Sequence, residues 1–207
     1  MDYDLNTADQ QRAGGELIPD GTIARAVMTI RPGGAGPDGI LTASKSSDAQ
    51  YLNCEFTVAD GEFAKRKFWG NLTVSGGKLD DNGNSKGGMI TRQTLRAIIE
   101  SAYQIDPKDE SPKAQSVRRI PGLEVFNGLE FCAEIGVEPA KGEYKPKNKL
   151  DRAVTPDRAE YGPAMGVAGA PVAPKAAPAT KPAWTPPAAQ AAAANGTKGA
   201  MPAWMAR

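Results

Sequence analysis

Residues Leu52–Val74 read LNCEFTVADGEFAKRKFWGNLTV. The first half alternates. Leu52, Cys54, Phe56 and Val58 fall on one side of an extended chain, and Tyr51, Asn53, Glu55 and Thr57 on the other, which is the pattern of a half-buried strand. The apolar set faces a core. Ala59-Asp60-Gly61-Glu62 then turns the chain, with Gly61 supplying a positive φ. Phe63–Leu72, FAKRKFWGNL, returns as the neighbouring strand. Alternation puts Ala64, Arg66, Phe68, Leu72 and Val74 on one side, and Phe63, Lys65, Lys67, Trp69 and Asn71 on the other. Lysines do not belong in a core, so the second set faces out. Register tests this assignment. A two-residue turn would set Val58 opposite Phe63 and point the lysines inward. A three-residue turn with a bulge sets Val58 opposite Ala64 and keeps both faces consistent, so it is the preferred reading.

Working outward, Thr22–Ile30 follows a Pro-Asp-Gly turn and is β-prone. It alternates too loosely to show whether Ala24, Ala26, Met28 and Ile30 or Ile23, Arg25, Val27 and Thr29 face in. Leu95, Ile98, Ile99 and Ala102 fall at i, i+3, i+4 and i+7, one stripe of an amphipathic helix, with Thr91 as its expected N-cap. Ser111-Pro112 starts a short helical turn. A turn at Asn127-Gly128 leads into the cleanest strand. There Leu129, Phe131, Ala133, Ile135 and Val137 face in, and Glu130, Glu134 and Glu138 face out. KPKNKLDRAV reads as a last strand, basic in its first half. Five strands with one helix between the third and fourth match an OB-fold-like barrel, and the chain is mostly β.

The chain has 207 residues, 40% of them hydrophobic. They are unevenly spread. Residues 1–15 read as a flexible acidic N-terminus and 16–157 as one folded domain. Residues 158–207 are dominated by Ala, Pro, Gly, Lys and Thr. They hold too little apolar surface to offset the entropy of ordering and read as a disordered tail. The net charge of +1 argues for no particular partner. Its distribution, basic at KGEYKPKNKLDR and in the tail, is compatible with an anionic one. Cys54 and Cys132 sit in apolar runs and read as reduced core residues. The start of the chain lacks the apolar stretch of a signal peptide, and no run reaches the length of a membrane span, so a cytoplasmic location is expected.

Much chemistry is absent. There is no histidine, and two isolated cysteines cannot build a zinc site. KLDDNGNSKGG has the look of a calcium loop, but its glycine is misplaced and the closing glutamate is missing, so a polar hairpin loop is the better reading. No cofactor, no metal and no catalytic residue is expected. A carboxylate-only metal nuclease is a minority reading.

The candidate site is the outward face of the returning strand. Phe63, Lys65, Lys67 and Trp69 line it, and Tyr51 projects beside them from the neighbouring strand. Large aromatics exposed to water have no stability rationale. Interleaved with cations they suit single-stranded nucleic acid, because bases stack on aromatic faces at about 1–3 kcal/mol each while cations hold the phosphates. Lys145, Lys147, Lys149 and Arg152 would extend the cationic track if the last strand curls toward this face. The blander reading packs Phe63 and Trp69 under a loop and leaves the lysines merely solvated.

LIPDGTIARAVM, LNCEFTVADGEFAKRKFWGNLTV and GLEFCAEIGVE with YKPKNKLDRAV together resemble a phage-encoded family, formerly a domain of unknown function, similar to single-stranded DNA-binding proteins. The resemblance spans about Leu17–Val154. It rests on EF-x-V, G-x-[FY]-x-x-R-K and a late K-N-K. It implies an OB fold and the coating of single strands in phage or prophage DNA replication and recombination. Arg66 and Lys67 match the family's basic pair, and Lys147 and Lys149 fall in its late basic stretch. Typical bacterial single-strand binders end in an acidic tip that recruits enzymes. This chain instead carries Pro-Ala-Trp twice, at Trp184 and Trp204. These tryptophans are candidate docking points for replication or recombination proteins, or further stacking groups. The alternative function is an OB-type adaptor that recruits a recombinase, nuclease or polymerase. Stacking alone does not separate RNA from DNA.

Overall fold

The computed structural model describes residues 16–166. Its strands are β1 (Thr22–Arg31), β2 (Thr42–Ala43), β3 (Gln50–Val58), β4 (Lys67–Ser75), β5 (Leu129–Glu138) and β6 (Lys147–Ala153). Helix α1 (Lys86–Tyr103) separates β4 from β5 and is followed by α2 (Pro112–Arg118) and a 3-10 turn, Leu123–Phe126. A short α3 (Tyr161–Met165) lies beyond β6. The expected tail at 158–207 therefore starts too early, because Tyr161 is buried.

All pairing is antiparallel. β1 lies between β3 and β5, β4 pairs with β3, and β6 pairs with β5. The two-residue β2 pairs with Gln50 and Tyr51 of β3, past the end of the β1 ladder at Asn53. The sheet thus has six strands rather than five. Among the described residues no ladder joins β4 to β6, so it is open rather than a closed barrel.

Register settles the ambiguous first strand. Ala26, Met28 and Ile30 of β1 pair with Val58, Phe56 and Cys54 of β3, and all six are buried. Phe56 stacks on Phe68 of β4 at 5.1 Å and meets Phe131 of β5 edge-on at 6.0 Å. The α1 stripe of Leu95, Ile98, Ile99 and Ala102 completes this core, as its spacing predicts. Each of the larger side chains among them, Met, Ile, Leu, Val or Phe, contributes about 1.5–3 kcal/mol.

α1 starts earlier than expected. Its N-cap is Ser85, whose Oγ accepts from the Gly88 N–H at 3.1 Å, while Thr91 is buried inside the helix. Gly87 and Gly88, poor helix formers, are kept in the first turn by close packing: a Cβ on Gly88 would stand 2.7 Å from the Val74 carbonyl oxygen. The short helix at Ser111-Pro112 forms as expected, with the Ser111 Oγ accepting from the Ala114 N–H. The Asp80–Asn84 segment is a polar hairpin loop in which Asp80 Oδ1 accepts from the Asn82 and Asn84 N–H groups.

Cys54 and Cys132 are both buried, as expected of core cysteines, but by different elements. Cys132 lies on the outward side of β5 yet is fully buried, because α3 covers it with Tyr161 beside Val154. The pairing of β5 with β6 reaches only Ala133, and the Cys132 N–H donates instead to Ser101 Oγ at 2.9 Å. Both cysteines are free, and burial pushes both thiols up to about 12.

Candidate nucleic-acid interface

The β3–β4 hairpin decides what reaches the surface. Val58 N–H donates to the Arg66 carbonyl, and Lys65 N–H to the Val58 carbonyl. The loop is therefore longer than the expected three-residue turn, and Val58 faces Arg66 rather than Ala64. The two positions share parity, so the strand faces survive the error: Phe68 is buried and Trp69 is 54% exposed. Phe63 and Lys65 do not. Both lie in the loop before β4, and Phe63 is half-buried against the main core. The exposed-aromatic role expected of Phe63 is corrected on this point, because its ring gains more by covering the core edge than by meeting solvent. Lys65 takes a left-handed conformation, φ 68°, and Arg66 places its guanidinium 5.8 Å from the Phe63 ring centre.

The outward face of β3 and β4 carries Tyr51, Lys67 and Trp69. Across the strands Lys67 faces Thr57, Trp69 faces Glu55, Asn71 faces Asn53 and Thr73 faces Tyr51. From Trp69 to the Tyr51–Thr73 pair is four residues along the strand, roughly 14 Å. Tyr51 is half-buried there.

Glu55 organises this face, although only 4% of it is exposed. Lys67 Nζ donates to Oε1 at 2.7 Å, and Arg31 Nε to Oε2 at 3.1 Å. The Trp69 indole N–H also donates to Oε2, at 3.3 Å. Lys67 first, then Arg31, lowers the Glu55 carboxyl to about 2, against the opposing effect of its desolvation. The carboxylate thus fixes how the Trp69 ring stands while most of that ring remains in solvent. A flat aromatic group held still beside two cations can stack a base without first losing side-chain freedom.

Sequence reasoning missed Arg31 and the role of Glu55. The signal was present for Glu55, which shares the outward alternation set with Tyr51 and stands on the same sheet face as Lys67 and Trp69. Arg31 ends β1 one residue past the expected strand, where its pairing with Asn53 brings it to the same face.

Among the described residues, the late basic stretch makes no hydrogen bond or ion pair to Glu55, Lys67 or Trp69, and its strand cations are engaged elsewhere. Lys145 is exposed in the loop before β6. Lys147, Lys149 and Arg152 each pair with a carboxylate: Glu138 at 3.2 Å, Asp151 at 2.8 Å, and Glu134. Tyr144, 81% exposed next to Lys145, was not anticipated. Trp184 and Trp204 lie outside the described residues. No group of three or more metal-ligating side chains occurs among the described residues, and none of their helices is long and apolar enough to cross a membrane. No protein-family model matches the chain, and no curated protein matches it significantly.

Proposed function

We propose that this protein binds single-stranded nucleic acid on the outward face of β3 and β4, as a largely sequence-nonspecific DNA-binding protein of phage or prophage replication and recombination. The observation that carries the reading is Trp69, exposed, pinned by Glu55 and flanked by Lys67 and Arg31. An OB-type framework is supported by the strand order. β1, β3 and β4 form a meander, β5 returns beside β1, β6 follows β5, and a helix precedes β5. β4 and β6 also approach within 8 Å at Cα without pairing. On an OB framework, the face carrying Trp69 is the usual binding face.

The chain has three tryptophans, so the test is made in a Trp184→Phe/Trp204→Phe background, where Trp69 alone reports. Oligo-dT should quench its fluorescence at low salt, and the affinity should fall steeply as salt rises, because phosphate contacts release counterions. Trp69→Ala should cost about 1–3 kcal/mol of that binding, and unfolding should shift by less than about 0.5 kcal/mol. Absence of quenching at low salt, or equal affinity for duplex, overturns the proposal. Oligo-rU in parallel reports the preference between RNA and DNA.

The protein-adaptor reading draws on a specific observation: Arg31, Lys67, Lys147, Lys149 and Arg152 are all engaged by carboxylates. The pairs of Lys147, Lys149 and Arg152 are partly exposed and worth about 0–1 kcal/mol, so phosphates can displace them, whereas Arg31 and Lys67 are held by the buried Glu55. The adaptor predicts no oligonucleotide binding but a stable complex with a recombinase, nuclease or polymerase. Deleting residues 167–207 tests whether Trp184 and Trp204 recruit such a partner.

A further inference from the structure

The helical side of the domain carries a second, unrelated surface. A cavity of about 350 Å³ opens between α1 and the 3-10 turn, floored by Leu95, Ile99, Ile120, Leu123 and Phe126. An adjoining cavity of about 410 Å³ lies between α1 and α2 and is lined by Arg96, Arg118, Arg119, Glu110 and Gln115. Arg96 and Arg118 line both, so the two form one groove with an apolar end and a cationic end. Arg92 stands at the apolar end.

The four arginines have different duties. Arg96 and Arg118 both donate to Oε1 of the buried Glu100, at 2.8 and 2.7 Å, and Arg118 also donates to the Asp109 carbonyl at 2.6 Å. Arg118 thereby clasps α2 to α1, while Arg96 shares the same carboxylate from within α1. The guanidinium groups of Arg92 and Arg119 are exposed and make no hydrogen bond or ion pair with any described residue. The groove therefore offers two cations with no ion-pair partner among the described residues beside an apolar floor, with Glu110 the one carboxylate of its lining. Phe126 is only 1% exposed and presents no face on which a base could stack, so the chemistry favours an acidic peptide with apolar side chains over nucleic acid.

Such a peptide exists in this chain. Residues 1–15 read MDYDLNTADQQRAGG, with Asp2, Asp4 and Asp9 around Tyr3 and Leu5, and no cationic side chain before Arg12. They join the fold next to Ile18, whose N–H donates to Asn148 Oδ1 of β6 at 2.9 Å, and α1 packs against β6. Fifteen extended residues span about 50 Å, enough to cross a domain of this size, roughly 40 Å wide. We propose that the α1–α2 groove is the docking site of the chain's own acidic N-terminal segment. Tyr3 and Leu5 enter the apolar end, and the aspartates meet Arg92 and Arg119. The proposal does not depend on nucleic-acid binding by the β3–β4 face.

The test places a benzophenone side chain at Tyr3 of the full-length protein, irradiates it and maps the cross-link by mass spectrometry. The expected partner lies within residues 92–126 of the same chain. Arg92→Glu/Arg119→Glu should lower the yield about five- to tenfold, as should high salt. Asp2→Asn/Asp4→Asn/Asp9→Asn should do the same without altering any residue that lines the groove. Cross-links to the β3–β4 face, to a second, isotope-labelled copy, or to nothing overturn the proposal. So does a yield indifferent to the charge changes. Loss of the cross-link on adding oligo-dT, with weaker oligo-dT binding by the Arg92→Glu/Arg119→Glu variant, would assign the groove to nucleic acid instead.

Discussion

Glu55 shows how one buried carboxylate can govern a surface. Lys67 and Arg31 hold its carboxyl down to about 2. A depressed carboxyl contributes stability above its unfolded value of about 4.3 and loses it as pH falls toward the folded value. Stability should therefore decline between about pH 4.5 and 2, by about 1–3 kcal/mol after allowing for the solvent that reaches Arg31 and Lys67. Glu55→Gln should remove that acid limb in urea titrations followed across pH. The same change frees Lys67 and Arg31 from their carboxylate. Under the proposed function, Glu55→Gln should bind oligo-dT more tightly at low salt while being less stable, a pairing of effects that a purely structural Glu55 would not produce.

At the scale of elements, α1 illustrates packing overriding propensity. Replacing glycine by alanine inside a helix ordinarily gains about 1 kcal/mol. Gly88→Ala should lose about 1–3 kcal/mol instead, because the new Cβ would press on the Val74 carbonyl of β4. Thermal unfolding of the variant checks the sign. Ser85→Ala should cost about 1 kcal/mol by removing the N-cap, whereas Thr91→Ser, at the position the helix stripe suggested for the cap, should leave the helix start unchanged. The β3–β4 loop makes the companion point. Arg66 resting on Phe63 and Lys65 at positive φ are products of a longer loop than alternation implies, and they draw two expected site residues away from the strand face.

For the whole molecule, α3 closes the sheet on the side away from the main core. Tyr161 Oη donates to the Ser101 carbonyl at 2.5 Å and ties the segment after β6 back to α1. Cys132 lies beneath it, shielded and with its thiol raised by burial. A chain ending at Gly166 should keep both cysteines slow toward a disulfide reagent such as DTNB. One ending at Arg158 should release Cys132 to rapid modification while Cys54, in the main core, stays protected. Equal reactivity in the two truncations would show that α3 does not cover Cys132.

Local pattern in the sequence carried the order of the principal strands, the helix between β4 and β5, the inward set of β3, the β4 positions Phe68, Leu72 and Val74, and the β5 positions from Leu129 to Ile135. Alternation and the 3.6-residue stripe are local consequences of how side chains leave a backbone, so they survive an error in turn length of two residues. It also marked Trp69, Lys67 and Tyr51 as one face. Tertiary structure alone decided the rest. Whether β1 buries Met28 or Val27 depends on strands on both sides of it. Whether Phe63 is exposed depends on the loop, and whether Cys132 is covered depends on a helix thirty residues further along the chain. The charge state of the site follows the same rule. Lys67 and Trp69 look like a bare cationic and aromatic patch until pairing across β3 and β1 brings Glu55 and Arg31 among them, because electrostatic partners are chosen by distance in space and not by position in the chain.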